Sequence, residues 1–122
     1  MQTSLKIKTL LGGLALAAAG VVSAQQTVPI FGLVELSGTG ATSGSNFDNG
    51  IKLAVKEINA AGGILGRKIN YQSMDTQSNP GVAKALAQKA IDQGAYVVMG
   101  PVFSGSIMVS MAETKQIGRA HV

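Results

Sequence analysis

The sequence predicts an α/β fold, a doubly wound parallel sheet, from three observations. Apolar segments of strand length alternate with amphipathic segments of helix length in the order β-α-β-α-β-α. Glycines stand where the helical patterns stop, at Gly62, Gly63 and Gly94. Connections between parallel strands are right-handed, so this order makes the three strands parallel and puts helices on both faces of the sheet.

The first 24 residues have the composition of a secretory signal peptide. Lys6 and Lys8 precede an apolar run, and Val22, Ser23 and Ala24 supply small side chains for cleavage before Gln25. The run is shorter than the about 20 apolar residues that a helix needs to cross a bilayer. We therefore expect residues 1–24 to direct export to the periplasm and then to be removed.

Composition excludes several classes of function. Two of the ten Lys and Arg lie in the first 24 residues, so eight basic side chains remain against six acidic ones, which leaves a net charge of +2. This charge and the few aromatic residues provide no nucleic-acid surface. Cysteine is absent, the acids are scattered without metal-ligand spacing, and the single histidine is His121. We expect no catalysis, no metal, no cofactor and no nucleic-acid partner.

The first strand and the first helix are predicted from a change of period. Pro29–Leu36 is an apolar run rich in branched side chains, and a loop of small residues, Ser37–Ser45, follows it. Ser45 and Asp48 have the spacing of a capping box, which predicts that the helix starts at Ser45. The predicted buried stripe of this helix is Phe47, Ile51, Ala54, Val55 and Ile58.

The later elements have their own signals. Alternation in Lys68–Met74 predicts a second strand near the sheet edge, and Asn79 followed by Pro80 predicts a helix start. Tyr96–Met99 is a third short strand, and a third helix is predicted over residues 106–115. The predicted buried stripe of the second helix is Ala83, Leu86, Ala87, Ala90 and Ile91.

A ligand site is predicted beyond the carboxyl ends of the strands, where doubly wound sheets bind their ligands. Three segments should meet there: residues 37–45, 75–78 and 103–106. Ser104, Gly105 and Ser106 open a helix, where free N–H groups and a serine hydroxyl suit a carboxylate or phosphate. The alternative is that Ser104 or Ser106 is only an N-cap. Asp75 is most simply a turn residue.

Glycines in the first loop resemble, weakly, the fingerprint of dinucleotide-binding enzymes. Gly38, Gly40 and Gly44 have roughly that spacing. The fingerprint also requires a glycine inside the helix start and an acid about 20 residues further on, and neither is convincingly present. A dinucleotide-binding enzyme is therefore a less favoured alternative.

Several sequence blocks resemble the branched-chain amino acid ABC transporter substrate-binding proteins, the leucine-binding type of periplasmic binding protein. The blocks are GIKLAVKEINAAGGILGRKI and MDTQSNPGVAKALAQKAIDQGAYVVMGPVFSGS, and the resemblance covers Val28–Lys115. It implies two α/β lobes that close on an amino acid or a similar carboxylate and deliver it to an ABC permease in the inner membrane. Residues 25–116 would then be a partial N-terminal lobe.

The resemblance also implies site residues. The turn at Val102–Ser106 would contact the carboxylate of the ligand, with Ser104 as the main contact and Phe103 lining the pocket. Ser43 stands where the family often places an aromatic ring over the ligand side chain, so the side-chain specificity stays open. A ligand-sensing domain of a receptor, built on the same lobes, is a second alternative.

Two expectations concern incompleteness. One lobe would leave a ligand half exposed, so we expect the chain as written to bind little or nothing. Residues 117–122 depart from the strand that the resemblance predicts after the third helix, and they look like a translated sequencing adapter. We expect this tail to be non-native, with a frameshift or natural truncation as the alternative, and we give His121 no role.

Overall fold

The computed structural model describes residues 26–115, which form a parallel sheet of three strands with helices packed on it. The predicted signal peptide and the predicted non-native tail lie outside these residues. Within residues 26–115, no helix is long and apolar enough to cross a membrane. The elements are β1 (Val28–Val34), a 3-10 turn (Gly38–Gly40), α1 (Ala41–Ala60), β2 (Ile69–Asp75), α2 (Pro80–Asp92), β3 (Val97–Met99) and α3 (Ser104–Thr114).

The strand order is β2-β1-β3, and both pairings are parallel. Val28 is in register with Ile69, and Ile30 is in register with Val97. The step from β1 to β2 and the step from β2 to β3 run in opposite directions across the sheet. Right-handed crossovers therefore put α1 on one face and α2 on the other. The predicted doubly wound α/β sheet is confirmed, and so is the edge position of β2 among the three strands.

The core is centred on β1, the middle strand. Phe31, Leu33 and Val34 are at most 1% exposed. On one face the core is closed by α2, whose alanines let the helix approach the sheet closely. The predicted stripe of α2 is confirmed, with Ala83, Ala87 and Ala90 fully buried and Leu86 and Ile91 half-buried.

The predicted capping box at the start of α1 is wrong. The helix begins at Ala41, four residues before Ser45, because the 3-10 turn Gly38–Gly40 runs directly into it. The N–H of Ala41 donates to the carbonyl of Gly38, so the turn itself satisfies the first donor. Asp48 consequently lies in the second turn of the helix and not at its end.

Asp48 occupies a core position of α1. Its side chain is almost fully buried, and one carboxylate oxygen accepts from the hydroxyls of Tyr71 at 2.7 Å and Ser73 at 2.6 Å. The other oxygen lies 2.6 Å from the ammonium of Lys52. Burial raises the pKa of Asp48, but these hydrogen bonds outweigh burial and hold the pKa below its usual value. The buried stripe is therefore Gly44, Asp48 and Ile51, whereas the predicted core residues Phe47, Ala54 and Ile58 are exposed.

The other helix boundaries follow local signals more closely. The Oδ1 of Asn79 accepts from the N–H groups of Gly81 at 2.8 Å and Val82 at 3.2 Å, which confirms the predicted start of α2. Gly63 and Gly94 have positive φ after α1 and α2, as predicted. The third helix begins at Ser104, two residues earlier than predicted.

Candidate functional site

The crevice at the carboxyl ends of β1 and β3 is the topological switch point of this sheet. The chain leaves β1 towards α1 on one face and leaves β3 towards α3 on the other. Loops that diverge in this way open a gap between two neighbouring strands, and such gaps bind ligands in doubly wound proteins. The three segments predicted to meet at this edge are joined there by direct contacts.

The first two segments are joined by hydrogen bonds. The hydroxyl of Ser78 donates to the carbonyl of Ser37 at 2.7 Å and accepts from the N–H of Gly40 at 2.9 Å. Ser78 has a φ of 56°, in the left-handed region, which turns its side chain into this position at some backbone cost. The loop after β1 and the loop after β2 therefore form one unit, as predicted.

Asp75 holds the same two loops together at the end of β2. Its Oδ1 accepts from the N–H groups of Leu36 at 2.9 Å and Gln77 at 2.8 Å, and its Oδ2 accepts from the hydroxyl of Ser37 at 2.7 Å. Burial raises the pKa of Asp75, but the hydrogen bonds from Ser37, Gln77 and Leu36 together lower it. The hydrogen bond from the N–H of Gln77, two residues further along the chain, is the contact expected of the predicted turn residue.

The third segment is joined to the first through Glu35. This side chain is 0% exposed, and its two oxygens accept from the N–H groups of Val102 at 3.1 Å and Phe103 at 3.2 Å. Beside it, a Cβ on Gly40 would lie 2.7 Å from the Cζ of Phe103, so the ring packs directly on the glycine backbone. Sequence reasoning missed Glu35, because 67 residues separate it from Val102 and no local pattern marks the contact.

Close approach also fixes the strand end that leads to α3. Gly100 has a φ of 85°, and a side chain there would overlap the carbonyl oxygen of Leu33. Only glycine combines a positive φ with the absence of a side chain, so the backbone at Gly100 packs directly on the end of β1. This contact sets where α3 begins relative to the crevice.

The N-terminus of α3 has no side-chain cap in the described residues. Its N-cap is Phe103, and the first hydrogen bond of the helical ladder runs from Ile107 N–H to Phe103 O at 2.9 Å. The N–H groups of residues 104–106 precede that ladder and carry the positive end of the helix dipole. The alternative that Ser104 or Ser106 is the N-cap is wrong, because both already lie inside the helix.

The predicted site residues differ in exposure. Ser104 and Gly105 are exposed in the first turn of α3, and Phe103 is half-buried before it. Ser106 is 1% exposed, and its hydroxyl has no hydrogen-bond partner among the described residues. Ser43 is exposed in the first turn of α1. The structure thus brings Phe103 against Gly40, the N-cap of α1, while Ser43 lies three residues further along the chain, in the first turn of that helix.

A second depression lies away from this crevice. It is a groove of about 330 Å³ between β3 and α3, and the residues that line it include Tyr96, Val97, Pro101, Ile107 and Met111. It runs along the side of β3 that pairs with no strand in the described part of the chain. Within residues 26–115 there is also no group of three or more His, Cys, Asp or Glu that would hold a metal ion.

The profile of a family described as periplasmic binding protein matches residues 27–119, which include every described helix and strand. The chain belongs to the periplasmic binding protein family. Its three-stranded unit is part of one lobe of this two-lobe fold. The predicted resemblance is thereby confirmed.

Individual relatives agree with this assignment. The chain is 35% identical to the Leu/Ile/Val-binding protein BraC3 of Rhizobium johnstonii over 99 residues, which are 81% of this chain and 27% of BraC3. It is 39% identical over 96 residues to BasB of Halobacterium salinarum, a substrate-binding protein of a chemotactic signal transduction system, with 76% of this chain and 22% of BasB covered. The chain therefore spans about a quarter of the length of these relatives.

A solved structure has the same fold and a bound amino acid. The branched-chain amino acid transporter substrate-binding protein LivJ of Streptococcus pneumoniae, in complex with isoleucine, superimposes with a TM-score of 0.74 at 34% identity. The match covers 76% of this chain and 27% of LivJ. BraC3, BasB and LivJ are substrate-binding proteins and not enzymes, as predicted.

The glycines that suggested a dinucleotide site have a structural explanation in this family member. Gly38 and Gly40 form the 3-10 turn, and Gly40 and Gly44 lie against Glu35. The close packing of α1 on the end of β1 requires small residues there. These glycines therefore give no support to the dinucleotide-binding alternative.

Proposed function

We propose that the protein to which this chain belongs is the periplasmic substrate-binding component of an ABC importer for branched-chain or related amino acids. The observation that carries the proposal is the uncapped start of α3, which lies at the switch point of the sheet and presents Ser104. A ligand carboxylate is the group that this arrangement suits best, because it combines free N–H donors, a hydroxyl and the positive end of a helix.

The roles of the site residues follow from their exposure. Ser104 donates its hydroxyl to the carboxylate, and Gly105 leaves room for the ligand to approach the backbone. Ser106 contributes its backbone N–H, because its side chain is buried. Phe103 lines the pocket, and Ser43 faces the ligand side chain from α1.

Two further parts of the proposal concern the rest of the protein. The relatives are about four times as long as the matched segment, so a second lobe supplies the contacts to the ligand's amino group. Closure of the two lobes on the solute then favours the form that an ABC permease in the inner membrane recognises. Residues 1–24 direct the protein to the periplasm.

Ser104→Ala in the full natural protein that carries this sequence tests the ligand site. We expect leucine to bind about tenfold or more weakly, since a hydrogen bond to a charged group is worth about 1.5–3 kcal/mol. Isothermal titration calorimetry measures the affinity. Thr27→Ala is the matched control, because it removes an exposed hydroxyl next to the start of β1. Equal affinities for wild type and Ser104→Ala would exclude Ser104 from the site.

A receptor's ligand-sensing domain is the second candidate, and the similarity to BasB favours it specifically. Uptake of labelled leucine and a chemotactic response to leucine separate the two functions. Deleting the gene abolishes uptake if the protein serves an importer, and it abolishes only the response if the protein serves a sensor.

A further inference from the structure

We propose that Glu35 is a positioning residue, which fixes the start of α3 in the geometry that binds the ligand carboxylate. This proposal rests on the proposed function and extends it to a residue that does not touch the ligand. Its basis is the contacts of the Glu35 side chain, its burial and its place between the two loops of the crevice.

The contacts of Glu35 divide the N–H groups around the start of α3 into two sets. The carboxylate accepts from Val102 and Phe103, the two residues that immediately precede the helix. The next three N–H groups, of residues 104–106, are the ones left for a ligand. If the carboxylate moved or lost one acceptor, the turn at Val102 and Phe103 would shift, and the three donors would shift with it.

Burial makes this arrangement specific. Glu35 is 0% exposed, and within residues 26–115 no basic side chain forms an ion pair with it. A buried carboxylate without hydrogen bonds is strongly unfavourable. The carboxylate of Glu35 and the two backbone N–H groups therefore constrain each other's positions. A surface carboxylate that water solvates would impose no such constraint.

Glu35 also contacts the opposite rim of the crevice. A side chain on Gly44 would overlap the carbonyl oxygen of Glu35, and a Cβ on Gly40 would lie 2.9 Å from the Glu35 Cβ. The first turn of α1, which contains Ser43, therefore packs on the same residue that holds the turn before α3. One residue thus contacts both parts of the proposed pocket: the Glu35 side chain holds the turn before α3, and the Glu35 backbone packs against Gly44 of α1.

Glu35→Gln in the full natural protein tests the proposal. Glutamine keeps the length of the side chain but offers one acceptor oxygen and places an NH2 group against the second N–H. We expect the affinity for leucine, measured by calorimetry, to be about tenfold weaker. This factor corresponds to the loss of one charge-assisted hydrogen bond. We also expect faster amide hydrogen exchange at Val102 and Phe103.

Asp48→Asn is the matched control. It neutralises another buried, hydrogen-bonded carboxylate, but the partners of Asp48 are Tyr71 and Ser73 of β2 and Lys52 of α1. We expect it to lower the melting temperature as Glu35→Gln does, while the affinity for leucine stays at the wild-type value at temperatures well below melting. If Glu35→Gln fails to fold, Glu35→Asp replaces it, because aspartate keeps the charge but is too short to reach both N–H groups.

The outcomes separate the two levels of the proposal. Wild-type affinity in the Glu35 variant, or an equal loss of affinity in Asp48→Asn, overturns the positioning role. If the wild-type protein binds no amino acid, the proposed function fails. The exchange rates at Val102 and Phe103 then decide the positioning role alone, and unchanged rates in Glu35→Gln overturn it.

Discussion

At the scale of single residues, hydrogen-bonded carboxylates hold the loops at the carboxyl ends of the strands together. Asp75 joins the loop after β1 to the loop after β2 and accepts from both the backbone and the hydroxyl of Ser37. Because its pKa is lowered in the folded state, protonation favours the unfolded chain. Its contribution to stability is fully present above the unfolded pKa of about 3.9 and is lost as the pH falls through the folded value.

Asp75→Asn should therefore remove one source of acid sensitivity. At pH 7 we expect a loss of about 1 kcal/mol in the free energy of unfolding, because neutral hydrogen bonds replace charge-assisted ones. The deficit relative to wild type should shrink as the pH falls towards 3. Urea unfolding at both pH values measures it, and Asp92→Asn, which neutralises an exposed carboxylate at the end of α2, is the control. A deficit that is constant with pH would contradict the assignment.

Thr76 has a buried hydroxyl without a hydrogen-bond partner in the described residues. Thr76→Val keeps the shape of the side chain and removes that hydroxyl, so we expect a change between zero and a gain of about 1 kcal/mol in stability. Ser73→Ala is the comparison, because the Ser73 hydroxyl donates to Asp48 at 2.6 Å and its removal should destabilise the fold by about 1–2 kcal/mol. Thermal unfolding of both variants is the measurement. A marked loss in Thr76→Val would show that its hydroxyl has a partner.

At the scale of elements, α1 carries two glycines with opposite consequences. Gly44 packs on the backbone of Glu35, and a methyl group there has no room unless the helix moves away from β1. A methyl group on Gly50 would point into open space, with no neighbouring element within 4 Å of it. The same substitution in the same helix therefore separates packing from helix propensity.

Gly44→Ala and Gly50→Ala test this difference. We expect Gly44→Ala to destabilise the fold by about 2–3 kcal/mol through overpacking. Gly50→Ala should stabilise it by about 0.5–1 kcal/mol, because alanine is the better helix former. Chemical denaturation gives both values. Equal effects at the two positions would mean that α1 does not lie as closely on β1 as described.

The elements also show which features a sequence reveals. The start and the stripe of α2 were predictable, because Asn79 and the alanine spacing are local signals. The face of α1 was not, since Asp48 fills a core position with a charged side chain. The meeting of the three loops followed from the strand ends alone. Glu35 was missed because its partners lie on a distant segment and depend on the strand order.

At the scale of the whole molecule, the proposed function makes the described residues one side of a binding cleft. The segment corresponds to 27% of LivJ, which is solved with isoleucine. A competent small-molecule pocket buries about 70–90% of its ligand, and a crevice with a single wall does not reach that fraction.

We therefore expect residues 26–115 alone to bind leucine far more weakly than the full natural protein. Calorimetry at equal concentrations compares the two, and circular dichroism establishes whether the shorter chain is folded. Micromolar binding by a folded segment would show that one wall is sufficient.

The side of β3 that pairs with no strand within residues 26–115 has a consequence for handling such a segment. Backbone N–H and C=O groups on this side of β3 are unpaired in the described residues, and they lie next to the groove lined by Tyr96 and Met111. Another polypeptide can pair with such an edge and extend the sheet. Wherever that side stays uncovered, self-association competes with folding. The solubility of a segment then indicates how much of the lobe that segment contains.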